Sequence, residues 1–389
     1  MTDSFLYATL TWPEIANLPR DIPLIIPLGS GYPIDRLVSA LGNPSRLGML
    51  PAFPFGWEGS GLRLPETLLT AYLANLVDSL RDDGFSRVYI LTPQGLEWSS
   101  QGIYPDLSTT HISLPWSGDN PAQPLCLPPD SEHGKVILIP IGHIEQHALH
   151  LPVSTDTLII EAISQGTAAR VSDQAYSLPV MPYGVSTHRP SFAGTLNVGG
   201  RAFEDFWVGV IDVLVNRGFD RFYFLSGHGG NGSFLTNVVK YSGERHRRIF
   251  CATAPLYLTT PQGIQVIEQH RRSGIGGMGH ACELETSLIL HLCKELVHLE
   301  RSVDELSFIS TPSYYMDWVE GGSLIANPPW DDDTQTGAYG AGSLATAEHG
   351  QIWLEAAIAE KAAHVAEIHE QQRRREERRN SGYGLWGKR

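Results

Sequence analysis

Gly218-Phe-Asp-Arg-Phe-Tyr-Phe-Leu-Ser226 decides the fold, because an earlier stretch, Gly84-Phe-Ser-Arg-Val-Tyr-Ile-Leu-Thr92, lines up with it position for position. Each is an apolar run bounded by a glycine and a polar loop, the pattern of a strand buried on both faces. Each follows apolar residues at helical spacing: Leu69, Tyr72, Leu73, Leu76 and Leu80 before the first, Phe203, Phe206, Trp207, Val210 and Leu214 before the second. Leu80 and Leu214 both stand four residues ahead of their glycine, the usual helix-stop residue. The likeness reaches further back. Pro23-Leu-Ile-Ile-Pro-Leu-Gly29 matches Lys135-Val-Ile-Leu-Ile-Pro-Ile-Gly142 as a strand ending in Pro-x-Gly, and Leu50-Pro-Ala-Phe-Pro-Phe-Gly56 matches Leu178-Pro-Val-Met-Pro-Tyr-Gly184. The order strand, strand, loop, helix, strand therefore occurs twice, with shorter spacing the first time. This alternation predicts an α/β fold with a mostly parallel sheet covered by helices on both faces, written twice in the chain.

The two copies bound the rest of the chain. Residues 1–115 form the first copy. Residues 116–132, rich in Pro, Ser and Asp, read as a linker. Residues 133–370 form the second copy, ending in an amphipathic helix from Ala345 to Ile368, and residues 371–389 are a tail of mixed charge. Among 389 residues, 28 Lys and Arg face 42 Asp and Glu, a formal net charge of −14. Nucleic acid and anionic membranes select basic surfaces, so neither is expected as a partner. No run of about 18 apolar residues is present, so no segment is expected to span a membrane. Cys126, Cys251, Cys282 and Cys293 show no disulfide framework, and the first residues do not read as a signal peptide, so a cytoplasmic protein is expected.

The second copy carries chemistry that the first lacks. After the strand Val136–Ile141 comes Glu145-Gln-His147-Ala-Leu-His-Leu-Pro-Val-Ser-Thr-Asp156. Residues two apart in an extended segment point the same way, so Glu145 and His147 can face one pocket. Asp156 follows at the start of an expected helix over 157–164. Carboxylate, imidazole and carboxylate suit Zn, Mn or Fe, although a turn held by polar contacts would use the same residues. The strand after it ends in Ser226-Gly-His228-Gly-Gly-Asn231, at the carboxyl edge where open α/β sheets place ligands. A Gly-rich turn before a helix also binds phosphate, but no Gly-Lys-Ser/Thr ending is present at this turn. The third cluster is Gly279-His280-Ala-Cys-Glu283-Leu-Glu285-Thr-Ser287, preceded by a Gly-rich stretch, 274–279, that reads as a moving loop. Glu283 and Glu285 could alternatively be helix-start acids favoured by the dipole.

These three clusters, in this order, resemble the signatures of the creatininase family: E-Q-H-G-x-H-L-P-x-x-T-D, G-H-G-G-N and H-A-x-x-x-E-T-S. Tyr183-Gly-Val-Ser-Thr-His188 with Gly194-Thr195, and a late Gly340-to-Gly350 segment, add to the likeness, which covers about 134–368. The resemblance implies a three-layer α/β/α hydrolase with two divalent metal ions (Zn, Mn or Fe) and a small-molecule amide substrate, assembled as a homo-oligomer. It implies that Glu145 and His228 bind one metal, that His147 and Glu285 serve the other, and that Asp156 bridges them. It further implies His280 as general acid or base, with Glu285 also counted in the catalytic set, and His188 and Asn231 as substrate contacts. His150 would orient a ligand rather than bind metal. The family pattern is not matched everywhere. Ala148 replaces the usual Gly after the first motif's His. Gly230 stands where creatinine-specific members carry Glu, and 274–279 lacks those members' Trp, so creatinine itself is disfavoured. Other family chemistries remain open: a deformylase, a peptidase, a ring-opening hydrolase acting on an oxidised cyclitol, or a non-catalytic scaffold. The first copy has Gly29-Ser-Gly-Tyr-Pro33 in place of the Glu-x-His segment and Pro93 near the loop His, so it is expected to hold no metal.

Overall fold

Two parallel sheets are laid down in succession in the computed structural model, which describes residues 2–93, 95–96, 111–113, 127–187, 191–319 and 321–382. The first contains β1 (Asp3–Leu6), β2 (Leu24–Pro27), β3 (Arg46–Met49), β4 (Val88–Thr92) and β5 (His111–Ser113), in the spatial order β1-β3-β2-β4-β5. The second contains β6 (Val136–Ile141), β7 (Ala175–Ser177), β8 (Arg221–Ser226) and β9 (Phe250–Ala254), in the order β7-β6-β8-β9. Every pairing within these two sheets is parallel. A short antiparallel pair, β10 (Met278–His280) with β11 (Tyr339–Gly340), stands apart from them.

The helices are α1 (Trp12–Ala16), α2 (Ile34–Ala40), α3 (Glu66–Asp82), α4 (Thr155–Arg170), α5 (Gly200–Asn216), α6 (Gly232–Arg245), α7 (Pro261–His270), α8 (Glu283–Leu292) and α9 (Ala347–Asn380). Strand alternation assigns their faces. In β6, Val136 and Leu138 join the apolar cluster built with α4, α8 and α9, whereas Ile137, Ile139 and Ile141 join the one built with α3 and α5. Tyr223 and Leu225 of β8 divide from Phe222 and Phe224 in the same way. The result is the expected α/β/α layering. The cluster around α3 and α5 also contains Leu24 and Ile26 of β2 and Val88 and Ile90 of β4. The two sheets thus share one core, with α3 packed on α5 between them.

The two stretches aligned in sequence occupy matching positions in the sheets. Strand order β3-β2-β4-β5 parallels β7-β6-β8-β9. Leu50 N donates to Ile25 O at 2.9 Å, and Leu178 N to Leu138 O at 2.9 Å. Gly29 N reaches Phe53 O and Gly142 N reaches Met181 O, both at 2.9 Å. One expectation shifts. The runs 50–56 and 178–184 follow the strands β3 and β7 rather than forming them. Pro51, Pro54, Pro179 and Pro182 offer no N–H to a ladder, so single bridges, Leu28 with Phe53 and Ile141 with Met181, replace continued pairing. Residues 371–380, expected as a solvated helix end or tail, continue α9, with Arg373 and Arg374 bridged to Glu370. Much of the expected linker, 116–126, lies outside the described residues. Among the described residues no helix is long and apolar enough to cross a membrane.

Candidate metal centre

Six buried side chains converge at the carboxyl edge of the second sheet. Glu145 and His147 come from the turn after β6, Asp156 from the first turn of α4, and His228 from the end of β8. His280 closes β10, and Glu285 lies in the first turn of α8. Asp156 divides its two oxygens: Oδ1 lies 3.1 Å from His147 Nε2 and Oδ2 lies 3.2 Å from His228 Nδ1. On the His228 side, Glu145 Oε2 stands 2.8 Å from Nδ1; on the His147 side, Glu285 Oε1 stands 4.0 Å from Nε2. Two overlapping groups therefore have metal-binding spacing, Glu145–Asp156–His228 and His147–Asp156–Glu285, with Asp156 in both. A third group joins Glu145 and His147 to His280, whose Nδ1 is 4.0 Å from Glu145 Oε2.

Backbone carbonyls set which ring nitrogen faces the centre. His147 Nδ1 bonds to Glu145 O at 3.0 Å, His228 Nε2 to Val185 O at 3.0 Å and His280 Nε2 to Gln146 O at 2.6 Å. A carbonyl only accepts, so each of these nitrogens carries a proton and leaves the other ring nitrogen facing the centre. The donor set fits divalent cations. Glu145, Asp156 and Glu285 bring three buried carboxylates together, and no Lys or Arg is among the described residues lining the cavity above them. His147 Nε2 and Asp156 Oδ2, both sealed from solvent, make no well-aligned hydrogen bond despite these close approaches.

Charge crowding shifts the titrations. Burial disfavours protonated His147, yet Asp156, Glu285 and Glu145 outweigh it and raise its pKa to about 9. His228 likewise rises to about 10 against burial, through Glu145 and Asp156. Burial, with repulsion from Asp156 and Glu145, raises Glu285 to about 7 despite His147. Asp156 goes down despite burial, held by both imidazoles. Burial and the charge on His147 push His280 down to about 3, so its ring is neutral. Cations would take the place of the protons on His147 and His228.

The creatininase family model, described as creatinine amidohydrolase, matches residues 129–365, more than half of the chain. The chain belongs to the creatininase family. A mycofactocin precursor peptide peptidase of Mycobacterium ulcerans is 31% identical over 179 residues, covering 42% of this chain and 61% of that protein. The chain thus spans about three fifths of the length of the first curated relatives it matches. Creatinine amidohydrolase of Pseudomonas putida is 26% identical over 244 residues, covering 57% of this chain and 85% of that protein. The fold of this chain is shared by a crystal structure of creatinine amidohydrolase (creatininase), at a TM-score of 0.52 and 24% identity over 61% of this chain and 92% of the other. Solved creatininases include a manganese form and a Zn–Zn form, at TM-scores of 0.52 and 0.51.

Against the creatininase pattern, several residues find a place that sequence alone did not give. Gly230 stands where creatinine-specific members carry Glu, and a Cβ there would meet His228 Nε2 at 2.4 Å and Val185 O at 2.5 Å. A side chain at 230 would therefore require His228 or the Val185 carbonyl to move. Asn231, expected to touch substrate, is instead fully buried and spent on the scaffold. Its Oδ1 accepts from Val185 N at 2.9 Å and its amide donates toward Gly142 O and Ser226 Oγ. His188 lies outside the described residues, although its neighbour Thr187 lines the cavity. His150 bonds Thr286 Oγ1 at 2.9 Å, one residue beyond Glu285. Glu283 turns away from the centre and accepts the Arg272 and Ser273 amides, whereas Glu285 faces in.

The stretch 274–279 is pinned rather than free. Asp317, buried within the fold, accepts from Gly276 N at 2.8 Å and from Arg271 Nη2 at 3.1 Å, while Trp318 N donates to Met278 O at 2.8 Å. Sequence reading also passed over His143, stacked on His228 at 4.4 Å, and Gln146, whose carbonyl and amide both meet His280. The signal for Gln146 was in the first motif. His143 had none beyond being one more histidine. Above the six residues lies a cavity of about 560 Å³, walled by Phe234, Tyr314, Met316, Trp318, Ile325 and Trp330. The aromatic region after 314 therefore lines the site.

Proposed function

We propose that the protein is a metal-dependent amidohydrolase that cleaves a C–N bond in a small cyclic or linear amide. The observation that carries this reading is the split of the Asp156 carboxylate between His147 and His228. Glu145 and His228 would hold one divalent cation, Zn, Mn or Fe, His147 and Glu285 the second, and Asp156 both. When bound, such a pair lowers the pKa of a shared water and polarises the substrate carbonyl. The chain's own residues do the rest. His280 is neutral, with Nε2–H on Gln146 O and its Nδ1 lone pair toward Glu145. That atom can take a proton as the tetrahedral intermediate forms and return it to the leaving nitrogen. The backbone carbonyl of Gln146 keeps the ring in that orientation, and the cavity walls above it are largely apolar.

The first half reads as a copy of the same domain that has lost its ligands. The matched strand order and matched amide-to-carbonyl bonds support this. Its contribution is support. Leu10 O and Ala8 O accept from Val153 N at 2.8 Å and Ser154 N at 3.2 Å, in the turn that delivers Asp156. It would fill the place of a neighbouring subunit, and further assembly into a homo-oligomer is part of the reading. The test is a panel of amides, lactams and short peptides given to metal-loaded protein. Turnover abolished by Glu285→Gln or His280→Ala is the expected result. Hydrolysis of nothing on the panel, with metals bound, would favour a non-catalytic scaffold.

A further inference from the structure

We infer that the substrate carries a flat, apolar group of aryl size beside its amide, and that Trp318 and Trp330 are the residues that select it; this rests on the amide-hydrolase reading above. The two indoles stand by the two histidines that face Glu145. Trp318 reaches the loop beside His228, close enough that a Cβ on Gly229 would lie 2.7 Å from its ring. Trp330 meets His280 edge-on, at 4.8 Å between ring centres. A group attached to an amide bound over Glu145 and Asp156 would therefore meet one or both rings.

Trp318 is 38% exposed, so its ring is open to a molecule entering the cavity. Its backbone is fixed nonetheless. Trp318 N is bonded to Met278 O, and the preceding Asp317 is buried against Arg271 and the Gly276 and Val319 amides. Trp330 is buried among Tyr339 and Phe192. The Trp330 ring and the Trp318 backbone are thus held in place before any ligand arrives, which lowers the cost of binding. The remaining wall is Phe234, Tyr314, Met316 and Ile325, with Thr187 and Asn327 joined by a 3.0 Å hydrogen bond at its edge. A volume of about 560 Å³ lies in the range that holds drug-sized ligands, well beyond the needs of a single small ring.

The test uses metal-loaded full-length protein and two matched pairs, formanilide with N-methylformamide and benzamide with acetamide, which present the ring on either side of the carbonyl. Hydrolysis is read as kcat/KM and binding by calorimetry, in wild type, Trp318→Ala and Trp330→Phe. The expected result is an aryl preference of about tenfold or more in at least one pair, appearing mainly in KM and falling about tenfold in Trp318→Ala. Trp330→Phe, which keeps a ring in the buried position, should retain part of it. If no amide is cleaved but the aryl member still binds preferentially and Trp318→Ala removes that preference, the inference stands and the amidohydrolase reading fails. Equal handling of both members of each pair, no binding by either, or a preference that survives Trp318→Ala would overturn the inference.

Discussion

Two alanines mark where the backbone is bent to present the centre. Ala148, just after His147, has φ 53°, and Ala281, just after His280, has φ 49°. A left-handed alanine costs about 1 kcal/mol or more, and glycine relieves it. The Ala148→Gly protein should therefore unfold at higher denaturant, by up to about 1 kcal/mol, with its metal content unchanged; a loss of stability would show that the strain is not located there. Gly230→Ala should do the opposite. Its Cβ would press on His228 Nε2, so the variant should bind less metal on the Glu145 side by elemental analysis, while retained full occupancy would refute the close-packing argument. Asn231→Ala removes an acceptor from the buried Val185 amide and should cost about 1–3 kcal/mol in chemical denaturation. At this scale the sequence was legible wherever a motif fixed residue type and spacing together, as with Glu145, His147 and Asp156. It misled at Asn231, because an amide beside a catalytic loop reads equally as a substrate contact or a brace, and only the position of Val185 decides.

Elements were legible where burial sets a period. Strand Val136–Ile141 was found residue for residue, and the helices over 66–82 and 200–216 were marked by their apolar spacing. The stretch 274–279 was misjudged because what holds it is distant in sequence. Glycine content suggested motion, while Asp317, some forty residues on, anchors it with Arg271. Asp317→Ala removes the carboxylate from half-buried Arg271, which keeps Ser273 O and Gly274 O, and orphans the Gly276 amide, so it should cost about 1–3 kcal/mol in denaturation. The same variant should raise KM more than it lowers kcat, because Trp318 loses its fixed backbone; equal stability to wild type would contradict the anchoring role.

At the scale of the whole molecule, the repeated order of elements along the chain was visible in sequence, but the single core was not, because α3 and α5 each present a pattern that any helix covering a sheet would show. Only the assembled fold reveals that Tyr72 donates to Tyr183 O at 2.7 Å and that Asn75 and Ser79 bond Val198 O and Asn197 O, so the first half grips the segment leading to the cavity. The chain should accordingly melt in one cooperative calorimetric transition, and two resolved transitions would show the halves to be independent. Stoichiometry tests the central claim most directly. Elemental analysis of the full chain after loading and desalting should give about two divalent ions per molecule, all in the second half, and close to none in Asp156→Ala. One ion in the wild type, or unchanged occupancy in Asp156→Ala, would contradict the paired centre bridged by Asp156.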